Sequence, residues 1–300
     1  MPRMARLRVE SGEAWYHIYC RVSGKNDEYP LDVEGAREAL IRHIRFYARA
    51  YECEVAGFCV MGNHYHLVVR FSERVELGRK ELMKRAKLLY PNTWEAVKGW
   101  GDERFQRLNN RLFDVSEFVR NIQQGYTKWY NRAVGRSGRL WAERFRSTIL
   151  EDSAAVRDCL LYVDLNPVRA GMVERPEDYE HGSAKLRDMA LDKWLLDLRE
   201  ILGVKSKTES RALYRSLLYN RGAVQTREGQ AAIPESAMTE AEAADFQDRG
   251  IFRKRLRHFT RGLVLGSRES IAVWLERCRE SGYYRRRTRP QNREGVFSLG

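Results

Sequence analysis

Apolar patterning along the 300-residue chain predicts an α+β fold, an antiparallel sheet with helices on one face followed by a helical C-terminal domain. Three observations carry that expectation. Runs of strand length rich in aromatic and β-branched residues occur at 14–22, 53–61, 64–71 and 145–150. Segments at 32–47 and 115–133 place apolar residues at helical spacing between those runs. Gly62-Asn63 joins the second run to the third at hairpin distance.

Taken in order, residues 14–22 (AWYHIYCRV) read as the first strand. Asp32 opens a helix whose stripe runs through Ala36, Leu40, Ile41, Ile44 and Tyr47. The hairpin 53–71 follows. Residues 73–110 are charged and helical in pattern, broken by Pro91-Asn92 and Gly99-Trp100-Gly101, and read as an insertion. Asp114 then caps a helix over 115–133, with Glu117 completing a capping box. After the strand at 145–150, Ser153 caps a helix ending near Asn166-Pro167. Strand, helix, strand, strand, helix, strand is the ferredoxin-like order.

Composition shifts after Tyr179, so the expected boundary separates 1–185 from 186–300. The second part reads as helical, with 222–242 as a linker. Near its end, residues 259–267 lead into a short capped helix with Ile271, Trp274 and Leu275 inward, and then into Tyr283-Tyr284-Arg285-Arg286-Arg287. Two helices around a turn beside an arginine cluster suit a helix-turn-helix that grips DNA, or equally a solvated basic tail.

Lys and Arg number 54 against 41 Asp and Glu, a net charge of +13. Such an excess points to a polyanionic partner, most simply nucleic acid. The five cysteines form no C-x-x-C pair, which fits a reducing cytoplasm better than a disulfide framework or a zinc ribbon. No run approaches the ~20 apolar residues of a membrane span, and residues 1–6 precede no apolar leader segment. The expected location is the cytoplasm, in association with the nucleoid.

The most informative triplet is His64-Tyr65-His66. Side chains alternate across a strand, so both imidazoles project from one face while Tyr65 takes the other. Two neutral imidazoles so placed can grip one divalent cation and leave its other positions open. They can also merely line a polar sheet edge.

The 115–133 helix carries Tyr126 on its apolar stripe, between Ile122 and Tyr130, where aromatic residues ordinarily belong to a core. Gln123, Gln124, Lys128, Asn131 and Arg132 make the same helix polar and cationic beside that stripe. Packed over the histidine face, such a helix could deliver a phenol to a phosphate. A phenol titrates near pH 10, so a cation polarising the phosphate and arginines such as Arg144 and Arg146 would have to assist its attack.

Four blocks carry a family resemblance: VMGNHYHLVV at 60–69, GYTKWYNR at 125–132, GRLWAERFRS at 138–147 and YVDLNPVRAGMVERPEDY at 162–179. In this order the chain resembles the single-strand DNA transposases of the HUH tyrosine class. Within them it looks most like the REP-associated tyrosine transposases of bacteria, over the first 185 residues. The C-terminal third is similar to the tail of longer members. The resemblance implies a metal-dependent endonuclease and strand transferase acting on hairpin-forming single-stranded DNA. His64 and His66 would hold Mg²⁺ or Mn²⁺ against the scissile phosphate. Tyr126 would attack it, leaving a 5′-phosphotyrosine and a free 3′-OH that another strand end can reverse without ATP. Lys128, Arg132, Arg144, Arg146, Arg285, Arg286 and Arg287 would contact DNA, and a monomer is expected over the dimer of mobile relatives.

Two positions depart from the family pattern. Gly62 stands where proline is usual. Mobile-element relatives also place a polar metal ligand one helical turn beyond the nucleophile, and here Tyr130 follows Tyr126 at that spacing. Gln123, one turn earlier, is the expected third ligand, and Tyr126 is preferred over Tyr130 because its neighbours match the block. The alternative function is a DNA-binding protein that keeps the fold without cleavage; RNA as the substrate is a further one.

Overall fold

The structure, a computed structural model, describes residues 12–25, 28–225, 229–239, 259, 262–280, 290–293 and 296–299. Strand β1 (Ala14–Arg21) leads through helix α1 (Ala36–Ala50) into the hairpin of β2 (Cys53–Val60) and β3 (His64–Phe71). Three helices follow, α2 (Arg79–Leu89), α3 (Trp94–Lys98) and α4 (Asp102–Leu112), before α5 (Val115–Ala133) and strand β4 (Arg146–Leu150). Next come α6 (Ser153–Asp164), α7 (Asn166–Arg169), α8 (Ser183–Asp188), α9 (Leu198–Leu202) and α10 (Lys207–Gly222). Strand β5 (Val264–Gly266), α11 (Arg268–Glu280), β6 (Pro290–Arg293) and β7 (Val296–Leu299) complete the described elements.

The first four strands pair in the order β2-β3-β1-β4, every contact antiparallel, which is the expected ferredoxin-like sheet. The C-terminal part differs from a purely helical domain. β5 adds parallel to β4, and β7 and β6 extend the same sheet beyond it. The inward turns of α11 are as expected, with Ile271 and Trp274 buried.

Helices cover both faces of the sheet rather than one. On the first face, Ile18, Cys20, Tyr65, Leu67 and Val69 meet α1 and α5. On the second, Cys59, Val68 and Leu150 meet Leu160, Leu161 and Val163 of α6, with α10 beyond. The insertion α2–α4 buries Leu82, Ala86, Phe105 and Leu108 in a small core of its own.

Local chemistry explains the boundaries. Asp114 caps α5 by accepting from the Ser116 and Glu117 amides, while the Glu117 carboxylate turns instead to Arg111 and Arg120. Asp152, one residue before Ser153, caps α6 through the Ala155 amide. Asp32 belongs to a short 3₁₀ turn, and α1 begins only at Ala36. Gly62 has a packing reason: a Cβ there would lie 2.5 Å from Asp32 Oδ1 and 2.8 Å from the Tyr29 ring.

Helix α6 approaches the sheet closely at Gly57. A β-bulge shifts the register between Val55 and Gly57, and a Cβ on Gly57 would stand 2.2 Å from Leu160 Cδ1. Buried Asp164 pins the end of α6, accepting from Ser183 Oγ at 2.5 Å and Tyr214 Oη at 2.6 Å. Placing alanine at Gly57 should therefore lift α6 and lower stability by about 1–3 kcal/mol, read from urea unfolding.

Candidate active site

Strand alternation decides what the second face presents. His17, Tyr19 and Arg21 of β1 share one parity; Tyr19 pairs with His66, and Arg21 pairs with His64. Arg146 of β4 pairs with Tyr19 and joins the same face. His64 and His66 are neighbours with ring centroids 5.1 Å apart, and the Tyr19 ring lies 5.5 and 5.0 Å from them. His66 is buried, whereas His64 is only partly so.

From α6 above, Tyr162 sets its ring edge-on to His66 at 5.3 Å and to His17 at 5.9 Å. It is half-buried and stacks on Phe259 at 5.2 Å. One helical turn later, Asn166 donates its Nδ2 to the Tyr162 carbonyl at 2.8 Å. The Asn166 Oδ1 is then the end of the amide able to face a cation.

Hydrogen bonding fixes the form of the imidazoles. The Phe259 carbonyl can only accept, so His17 Nδ1, 2.7 Å away, carries the proton. Burial pushes the His17 pKa down to about 4, so its Nε2 is a bare acceptor at neutral pH. His66 Nδ1, 2.9 Å from that Nε2, must then donate, which leaves His66 Nε2 with a free lone pair. His64 Nδ1 donates to Asn63 Oδ1 at 2.7 Å, freeing its Nε2 likewise. Burial and then the Arg21 charge bring the His64 pKa to about 4, and burial puts that of His66 well below normal.

Among the described residues no group of three or more His, Cys, Asp or Glu side chains is arranged to hold a metal ion. His17 is spent on its two hydrogen bonds. Two imidazole nitrogens and an amide oxygen nonetheless suit a divalent ion that takes its remaining ligands from water or phosphate. Arg146 pairs with exposed Glu143 at 3.6 Å, a pairing worth at most about 1 kcal/mol and easily exchanged for another anion.

Several expected members of the site are elsewhere. Tyr126 is on the first face, fully buried, donating to the Ala36 carbonyl at 3.1 Å among Trp129, Tyr130 and Trp141. Burial raises its pKa above the ordinary phenol value, the reverse of what a nucleophile needs. Tyr130 donates to the Pro30 carbonyl at 2.7 Å. Gln123 gives its Nε2 to Cys20 Sγ at 2.7 Å, also beneath the first face. The reason is common to all three: α5 is a core helix of the face that Tyr65 occupies, and the sheet separates it from both histidines.

Lys128 and Arg132 are exposed on α5, and Lys128 lines a groove of about 610 Å³ with Arg120, Arg139 and Trp141. Arg144 is exposed in the loop before β4. Arg285, Arg286 and Arg287 fall outside the described residues. Sequence reasoning missed His17, Arg21, Tyr162 and Asn166. The signals were present: His17, Tyr19 and Arg21 recur every second residue, and Asn166 follows Tyr162 by four residues, the spacing of one helical turn.

No family model matches the chain, and no curated protein matches its sequence. One solved structure is similar, that of a REP-associated tyrosine transposase bound to a REP hairpin, with 19% sequence identity and a TM-score of 0.40. The match spans 63% of this chain and 86% of that one. No helix among the described residues is long and apolar enough to cross a membrane.

The neutral imidazoles have a measurable consequence. Unfolded histidines titrate near pH 6.5, while His17 and His64 do so near 4, so between those values the unfolded chain binds more protons. Stability should fall as pH is lowered through that window, by at most about 1.4 kcal/mol per pH unit for each ring. Urea unfolding at stepped pH should show the loss, and a shallower slope in His17→Gln.

Proposed function

We propose that this protein is a metal-dependent endonuclease and strand transferase for hairpin-forming single-stranded DNA, with Tyr162 as its nucleophile. The observation that carries the reading is the placement of Tyr162 on the histidine face, its ring 5.3 Å from that of His66. Tyr19 shares that face but lies within the strand layer. Tyr162 comes from an overlying helix with a polar residue, Asn166, one turn beyond it. The departure noted at Tyr130 disappears once Tyr162 takes the role.

His64 and His66, with Asn166 Oδ1, would hold Mg²⁺ or Mn²⁺. Such an ion supplies Lewis-acid polarisation of the scissile phosphate. The chain's own groups do the rest. Tyr162 Oη attacks phosphorus and releases its proton to solvent; the bond from phosphorus to the 3′ oxygen breaks, and that oxygen takes up a proton. The products are a 5′-phosphotyrosine and a free 3′-OH. Attack by another 3′-OH runs the step backwards and rejoins strands with no outside energy source. Arg21 and Arg146 flank the site and would meet the charge that builds on the phosphate oxygens. The net charge of +13 favours a nucleic-acid substrate through counterion release.

Incubation with Mn²⁺ and a hairpin oligonucleotide bearing single-stranded flanks should yield a denaturant-stable protein–DNA adduct. Tyr162→Phe should abolish the adduct and keep hairpin affinity, while Tyr126→Phe and Tyr19→Phe keep both. A wild-type chain that binds hairpins without ever forming the adduct would instead be a DNA-binding protein. Cleavage of an RNA copy of the hairpin at equal rate would move the substrate class to RNA. Arg146→Ala should reduce the salt slope of hairpin binding by about 1 with no change of fold.

A further inference from the structure

Chain 242 residues downstream of His17 reaches into the histidine site. The Phe259 carbonyl accepts from His17 Nδ1 and lies 2.8 Å from Thr148 Oγ1, which is also 2.8 Å from the Gly262 carbonyl. β5 then runs parallel to β4, with Val264 beside Ile149, and anchors this segment to the sheet. The Phe259 ring, 1% exposed, stacks on Tyr162 at an interplanar angle of 30°. His17 and His66 are 0% and 1% exposed, and their rings are nearly parallel, 6° apart.

We infer that His17 and the Phe259 carbonyl form a two-bond relay that sets the tautomer of His66, so that the C-terminal segment positions both the ligand nitrogen and Tyr162. The inference rests on the proposed use of His66 as a metal ligand. An imidazole has one proton for two nitrogens when neutral, and a buried ring keeps it where an acceptor lies. The relay offers that acceptor on the Nδ1 side alone. Holding the far nitrogen of a ligating histidine in this way orients the ring and raises its basicity. Here the acceptor is a second histidine, itself set by a main-chain oxygen that no side-chain substitution at 259 can remove. His17 and Phe259 are thus positioning residues.

The test begins with the full-length metal-free chain, labelled with ¹⁵N-histidine at neutral pH. Long-range proton–nitrogen correlation should show His17, His64 and His66 protonated at Nδ1 and bare at Nε2. His17→Phe, which fills the space and removes the acceptor, should shift His66 to a mixture of tautomers. It should also weaken Mn²⁺ binding, measured by calorimetry, by about 10–100-fold. His17→Gln can accept from His66 and donate to Phe259 through one amide, and should restore most of both. Wild-type His66 protonated at Nε2 would overturn the inference, and so would a His17→Phe chain with unchanged tautomer and Mn²⁺ affinity. The relay can hold in a chain that never forms a DNA adduct, and an adduct can form without the relay, so the two readings fail separately.

Discussion

The sheet is a wall that side chains do not cross, and the period of two along β1 and β3 decides on which side of it each of their residues lies. His64 and His66 take one side; Tyr65 between them takes the other. Every later assignment follows from that partition. A helix that packs against Tyr65, Leu67 and Val69 cannot serve the histidines, however suggestive its own residues. One that packs against Val68 can.

The second face is built from two kinds of support. Close packing at Gly57 and the buried carboxylate of Asp164 hold α6 down on the sheet. Hydrogen bonds among rings and carbonyls then set the state of the imidazoles: Phe259 to His17, His17 to His66, and Asn63 to His64. The second kind joins neutral rings to oxygen acceptors and to one another, with no charge on any imidazole at neutral pH. Arg21 and Arg146 bring positive charge to its edge, where an exposed ion pair costs little to break.

The first face is a conventional core with a polar fringe. Tyr126 and Tyr130 spend their hydroxyls on the carbonyls of Ala36 and Pro30, tying α5 to the start of α1 and to the 3₁₀ turn before it. Gly125 belongs to that contact, since a Cβ would stand 2.9 Å from the Tyr47 hydroxyl. Arg120 and Lys128 of α5 line a groove on that side, apart from the histidines.

Period and punctuation in the sequence alone determined the four core strands, their ferredoxin-like order, the hairpin at Gly62-Asn63 and the helix capped by Asp114, because each is set by residues close together in the chain. They also determined that His64 and His66 share a face. They could not say which helix covers that face, since α5 and α6 are both amphipathic and each carries an aromatic residue followed by polar ones. Tertiary structure settled the matter by stacking α5 on Tyr65 and α6 on Val68, and it brought Phe259 onto His17 across most of the chain. Contacts between segments so far apart depend on packing and burial, which no local pattern of residues encodes.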